Sequence, residues 1–419
     1  MAPDPERSHA GTVAGISFAA FAVPNFRKFA IGQAVSLIGT WTETVALALL
    51  VLHLTNSGFL LGLVTAARYV PVLLLTPYAG LIVDRSSKRR VLLVTQTGLA
   101  GLSVVMGTLA FAGRANLPAV FTIAVAFGCL SALDNPARQA FIPEIVGRDL
   151  IRNAVTINST FVNVGRALGP LLAAVLVATA GIGWCFYINA ASFGAVIIAL
   201  TLLDRAQLAP TVPVPRTRGQ FTAGVRYALT VPTIIGPVLM MAFIGTFTYE
   251  FEVSLLLLAR TLDGASPLAY SWLIGAFGAG SVAGGLYCMR RPQTGVARLI
   301  RACVLYAAGL AAVAVAPVLW LAVGLMFVVG LASITFLTTG NSTIQLAARP
   351  EMRGRVTALW STAFLGTTPI GASIIGAVGG VSPRLAVGLG AAACVAALGV
   401  GVTVSRSSTR ATPGTTPPE

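Results

Sequence analysis

Five charged side chains stand where charge is expensive. Glu43, Glu250, Glu252, Arg68 and Arg166 each interrupt a run of apolar residues, and the runs have the length of about 20 residues that crosses a bilayer. An ionisable group at that depth is costly unless it faces a cavity or a partner, so each is a functional candidate. A carboxylate that is shielded in one state, and opened to water or to a cation in another, can take up and release a proton. Glu43, between Thr42 and Thr44, and Glu250 fit that description best. Glu252 lies two residues on, about 200° around a helix, so it and Glu250 are not expected to share one direction. Arg68 and Arg166 are cations that could tune these acids or hold an anionic ligand, or form static ion pairs between helices. Trp41, Asn158, Asn163, Phe247, Tyr249 and Trp272, with Thr44, Phe251, Asn189 and Gln345, supply aromatic faces and sparse polar groups. That mixture suits a bulky, partly apolar small molecule better than a sugar.

Other chemistries lack their residues. There is no P-loop and no HExxH, the two histidines are His9 and His53, and the five cysteines show no CxxC spacing. No metal site, cofactor or enzyme activity is expected.

The elements that must position these groups are membrane helices. The chain is 56% hydrophobic and 10% charged, with mean hydropathy +0.85. A soluble protein with buried parallel strands would show apolar runs of about five to eight residues, not runs of helical length with Gly and Pro inside. The reading is an all-α polytopic membrane protein with 12 transmembrane helices in two parallel six-helix halves. It divides into a cytoplasmic N-terminal segment (1–28), a first bundle (29–203), a linker (204–233), a second bundle (234–404) and a disordered tail (405–419). In the linker, Phe221, Val225 and Leu229 form one apolar stripe, as in an amphipathic helix lying on the membrane face.

The net charge of +15 could suggest nucleic acid, but its distribution decides otherwise. With both termini in the cytoplasm, only Arg114, Arg260 and Arg384 of the loop cations fall outside. That is the positive-inside bias, helped by anionic lipid heads. Lipid, protons and a small molecule are the expected partners, the chain is expected to be monomeric, and nucleic acid is excluded. The bacterial inner membrane is the expected location.

The halves echo each other. Ile38-Gly39-Thr40 returns as Ile244-Gly245-Thr246, and Arg152, Val155 and Thr156 return as Arg353, Val356 and Thr357. Equal span counts give both halves one orientation, a transporter arrangement. The first alignment sets Tyr249 opposite Glu43 and Glu250 one residue on, which would gather the carboxylates near the symmetry axis.

Between spans 2 and 3 the chain reads Gly80-Leu81-Ile82-Val83-Asp84-Arg85-Ser86-Ser87-Lys88-Arg89-Arg90. This resembles the loop signature of the major facilitator superfamily. Asp134-Asn135-Pro136-Ala137-Arg138 and the stretch from Asn163 to Pro170 look like its drug:proton antiporter group, which holds the enterobactin exporter and macrolide efflux proteins. The resemblance implies a secondary transporter that exports a hydrophobic or amphipathic compound, drug or siderophore, by proton antiport and alternating access. It also implies a cytoplasmic gate, in which Asp84 meets the start of span 11, Arg85 and Arg138 pair with Asp134, and Gly80 lets spans 2 and 11 approach. Gly165, Gly169 and Pro170 resemble the glycine–proline motif of exporters, with Ala173-Ala174 in place of its following Gly-Gly. Span 4 lacks the membrane-embedded arginine of classical twelve-span drug antiporters. Two alternatives stand beside export. One is uptake or flipping of a siderophore or lysolipid, marked by Arg68 and Arg166 facing the cavity while Glu43 is buried away. The other is a non-transporting scaffold or sensor.

Overall fold

The computed structural model describes residues 19–147, 149–208, 220–263, 267–291, 294–349, 352–365 and 367–410. Among them the regular structure is helical, as lipid requires: hydrocarbon offers no partner to a backbone N–H or C=O, so each segment must satisfy its own. The first six helices are α1 (Pro24–Thr55), α2 (Gly58–Arg85), α3 (Lys88–Phe111), α4 (Leu117–Val146), α5 (Ile151–Thr179) and α6 (Gly183–Thr201). After them come α7 (Gln220–Thr230), α8 (Pro232–Phe247), α9 (Phe251–Asp263), α10 (Pro267–Arg290) and α11 (Val296–Val315). The chain ends in α12 (Leu319–Ala347), α13 (Arg353–Leu365), α14 (Thr368–Val381) and α15 (Pro383–Arg410). Ten helical spans among the described residues, counting α13 and α14 together, are long and apolar enough to cross a membrane. The number is up to eleven if the bent pair α7–α8 is added. The protein is thus an all-α polytopic membrane protein.

Local chemistry sets the helix ends. Pro24 starts α1, where a missing N–H costs nothing. Asn56 takes the left-handed conformation after α1, with φ 49°. The Ser57 hydroxyl then accepts from Leu60 N at 3.3 Å to cap α2. Asn116 caps α4 in the same way, accepting from Ala119 N at 3.0 Å.

One expected span is broken among the described residues. Thr246 and Thr248 donate to the carbonyls of Ala242 and Ile244, both at 2.6 Å, back-bonding that bends helices. The chain leaves the helix over Thr248–Glu250 and resumes as α9, where Val253 N and Ser254 N bond to the Glu250 carbonyl. Between α13 and α14 lies Gly366, outside the described residues, and Pro369 stands in the first turn of α14. The expectation of one continuous helix over residues 234–258 is corrected accordingly.

Helices α1 to α6 pack among themselves, and so do α8 to α15. The boundary between the two sets is crossed chiefly by α2 on α14 and α5 on α10. Along the first seam a Cβ at Gly62 would strike the Ala372 carbonyl, and one at Gly376 would strike the Gly58 carbonyl. Backbone therefore lies on backbone, the close approach that small residues permit in membranes. Nearby, Arg260 Nη1 donates to Asn56 Oδ1 at 3.2 Å, and on the second seam Ser271 Oγ donates to the Pro170 carbonyl at 2.7 Å. All these contacts lie toward one end of the bundle. Further along the same face of α2, Leu73 and Thr76 are exposed, so the sets part toward the other end.

Helix α7 falls within the expected linker, but its buried face differs from the expected stripe. Gly224 and Ala228 are the buried positions, Gly224 against Arg355, while Leu229 is 64% exposed. The side chain of Phe221 lies outside the described residues. Helix α15 continues to Arg410, into the stretch expected to be a tail, and residues 1–18, Arg148 and 411–419 also lie outside the described residues.

Candidate functional site

A charged cavity lies at the boundary between the two helix sets, and small residues put its members in place. On α4, a Cβ at Gly128 would strike the Arg68 carbonyl, so α4 lies directly on the α2 backbone. The neighbouring Phe127 then sets its ring beneath the Arg68 guanidinium, 3.8 Å from Cζ to the ring centroid. Arg68 Nη1 also reaches Thr44 Oγ1 at 3.5 Å. The same device works between α5 and α1. A Cβ at Gly165 would crowd Leu37, and one at Gly169 would crowd Trp41 and Thr42. Arg166 consequently lies over the Trp41 ring, at 5.1 Å. Thr42 Oγ1 ties the two helices by donating to the Gly169 carbonyl at 3.1 Å.

From the other set, Glu252 projects out of the first turn of α9. With Thr44, Leu47, Leu61, Val64 and Arg68 it lines a small cavity. Both Arg68 and Arg166 act electrostatically on Glu252, and Glu252 in turn acts on Tyr69 and Tyr270. Glu252 forms no ion pair with either arginine among the described residues. All three charged groups are half-buried.

Glu250 is 4% exposed and sits in the break before α9, facing the start of α14. The Thr368 side chain lies close to its carboxyl group. Its Oε1 has no hydrogen-bond partner among the described residues and lies 3.3 Å from where a Cβ on Gly371 would stand. The positive end of the α14 dipole favours a carboxylate there.

Glu43 goes elsewhere. It is 4% exposed and turns into the first helix set, where its Oε2 accepts from Ser103 Oγ at 2.5 Å and Asn189 Nδ2 at 2.6 Å. The expected gathering of carboxylates thus includes Glu250 and Glu252 but not Glu43. Ser103 and Asn189 hold Glu43 inside the first set, while the break at Thr248–Glu250 puts Glu252 in the first turn of α9, where it reaches the cavity.

The remaining candidates are dispersed. Asn158 lines a separate small cavity with Gln33 and Phe26, and Asn163 Nδ2 bonds to the Ser159 carbonyl of its own helix at 3.0 Å; neither hydrogen-bonds to Arg166 among the described residues. Tyr249 shares a hydrogen bond with Ser333 at 2.7 Å and stacks edge-on against Phe364 at 4.7 Å. Phe247 ends α8 half-buried, Trp272 is 45% exposed beside Trp320, and Gln345 bonds to Asn341.

At the expected gate, Asp134 is buried and accepts from Thr95 Oγ1 at 2.7 Å, Gln96 Nε2 at 2.8 Å and Arg138, which also donates to Gln33. These groups come from α1, α3 and α4, so the cluster binds one helix set internally. Arg85 is exposed and does not pair with Asp134. Gly80 is buried and Asp84 half-buried in the last turns of α2. The chief partner of α2 across the boundary is α14.

Phe127, Gly128, Tyr69 and Tyr270 went unnoticed in sequence. A Phe-Gly pair in an apolar span gives no periodic signal, and only the pairing of α4 with α2 reveals its use. Ser103, Thr95 and Gln96 were findable, being polar residues at depth in span 3.

The profile of the transmembrane secretion effector family, within the major facilitator superfamily, matches residues 15–412. The chain belongs to that family. It is 26% identical over 382 residues to the enterobactin exporter EntS of Shigella boydii, covering 87% of each chain. It is 31% identical over 142 residues to the staphyloferrin A transporter of Staphylococcus aureus, a match covering 34% of this chain and 36% of that one. The match to the transporter YfiS of Bacillus subtilis spans 60% of that relative's length. Among solved structures, the inward-facing, unoccupied bacterial homolog of the human lysosomal transporter Spinster superposes with TM-score 0.73 at 14% identity, covering 96% of this chain and all of that one. A bacterial ferroportin homologue, inward-facing, gives 0.71 at 15% identity, covering 91% and 98%. The protein is thus a multi-pass membrane protein of a transporter family, and it spans about a third of the length of the staphyloferrin A transporter and three fifths of that of YfiS.

Proposed function

We propose that this transporter exports a hydrophobic or amphipathic compound, of drug or siderophore type, in exchange for protons. The observation that carries the reading is the cavity at the boundary of the two helix sets, closed toward one end by the α2–α14 and α5–α10 seams. In this reading α8 with α9, and α13 with α14, each make one broken span. The chain then has twelve spans in two parallel six-helix halves and works as a monomer with both termini in the cytoplasm. The sealed end is the outer one, and the halves rock about the cavity. Glu252 and Glu250 are the proton-carrying groups, since they face the boundary, while Glu43 is a structural group of the first half. Likeness to the enterobactin exporter along most of the chain supports export. Transport in inverted vesicles under an imposed pH gradient tests this. Accumulation of dyes, antibiotics or siderophores that collapses with the gradient is expected, and accumulation indifferent to the gradient removes the antiport.

One observation favours uptake or flipping as a second reading: Arg68 and Arg166 line the boundary while Glu43 is buried away. The same vesicles separate the two, because uptake would carry ligand out of inverted vesicles, and a symporter would move protons with it.

A further inference from the structure

The cavity is lined by the Arg68 guanidinium and the facing Glu252 carboxylate, with Arg166 near enough to act on Glu252, and the way the two guanidiniums are held bears on what they bind. Arg68 rests on the Phe127 ring and Arg166 lies over the Trp41 ring. Neither forms an ion pair among the described residues, and the one hydrogen bond between them is the 3.5 Å contact of Arg68 to Thr44. A ring supports a guanidinium by its face and leaves the N–H edges open, and those edges match a carboxylate in shape. Glu252 lies near enough to act on both arginines, yet bonds to neither. Glu250, the other acid near the boundary, is turned to Thr368 and the start of α14. The Arg68 N–H edges are therefore open toward the cavity, and Leu47, Leu61 and Val64 give it an apolar wall.

We propose that this cavity recognises an organic anion with an apolar body, its carboxylate bound by Arg68 and attracted by the nearby Arg166, and that Glu252 is the internal counter-ion it displaces. When the cavity is empty Glu252 offsets the two cations. When the ligand enters, its carboxylate takes the N–H edges and Glu252 gives way. A neutral analogue gains nothing from the arginines and leaves Glu252 in place. The inference rests on the transporter reading above and specifies the ligand class of its site.

The test uses the full chain in lipid nanodiscs, titrated calorimetrically with 1-naphthaleneacetate and with its neutral amide, empty nanodiscs being subtracted. The acid is expected to bind at least about tenfold more tightly than the amide, the worth of a charge-assisted pair. Arg68→Gln and Arg166→Gln should each remove that preference, while Arg68→Lys keeps part of it. Glu252→Gln should strengthen acid binding by roughly three- to tenfold, a gain that misfolding cannot imitate. An acid that binds no better than the amide, including the case in which neither binds, overturns the proposal, as does weaker acid binding in Glu252→Gln. Acid that binds but is not carried into vesicles counts against the exporter and leaves the anion site standing. Equal transport of acid and amide does the reverse.

Discussion

Two carboxylates at similar depth have opposite surroundings, and the difference assigns their roles. Glu43 has two donors on one oxygen, from Ser103 and Asn189, inside one helix set. Its amide analogue can accept both bonds through its carbonyl oxygen, so Glu43→Gln is expected to keep most substrate-driven proton flux in proteoliposomes. Glu252→Gln, at the boundary, should abolish it; loss in both variants alike would restore Glu43 to the proton path. The Asp134 cluster makes a different prediction. Arg138→Ala leaves a buried carboxylate without its cation, a change that costs roughly 3–5 kcal/mol. The remaining bonds from Thr95 and Gln96 place the effect toward the lower figure. Thermal unfolding in detergent should show a clear loss of stability, whereas a role confined to gating would leave the melting temperature unchanged.

At the scale of the helix, glycine decides where two backbones meet. Gly62→Val would force a branched side chain into the Ala372 carbonyl, so the α2–α14 seam could not close. Transport should fall, and a cysteine placed in the first turn of α2 should react faster with an impermeant thiol reagent added outside. Unchanged labelling would mean that the seam is not the barrier. The helices themselves were legible in sequence, because apolar length and cationic loops together fix span and order, and the Gly165–Gly169 face does lie on a neighbour, α1. The break was less legible. Thr246 and Thr248 look like ordinary members of an apolar run until their hydroxyls are seen on the carbonyls behind them. Glu252 stands out in the sequence as a charge at depth, but its direction into the cavity depends on the break. The gate was half legible: the pairing of Asp134 with Arg138, one helical turn apart, could be read. That it ties α1, α3 and α4 together, and does not bridge the halves, needed the packing of helices that lie far apart in the chain.

For the whole molecule, orientation is the first thing to establish. A single cysteine replacing Gln207, exposed between the two sets, is expected to react with a thiol reagent only when the membrane is permeabilised. The background for this test should lack the half-buried Cys129 and Cys288. Reaction in intact cells would invert the topology and with it the identity of the sealed end as the outer one.

Helix α7 has one further consequence. Its Tyr227 hydroxyl accepts from Arg349 N at 3.1 Å, and its Gly224 lies against Arg355, so it is fastened to the second helix set although it precedes that set in the chain. The two sets meet through seams, not through this helix. The protein should therefore tolerate being made as two polypeptides, one ending near Leu208 and one starting near Gln220, each burying its own core before they dock. Co-expressed fragments are expected to co-purify and to restore transport in vesicles, while either fragment alone does not. Failure to reassemble would show that the covalent link does more than hold two partners at high local concentration.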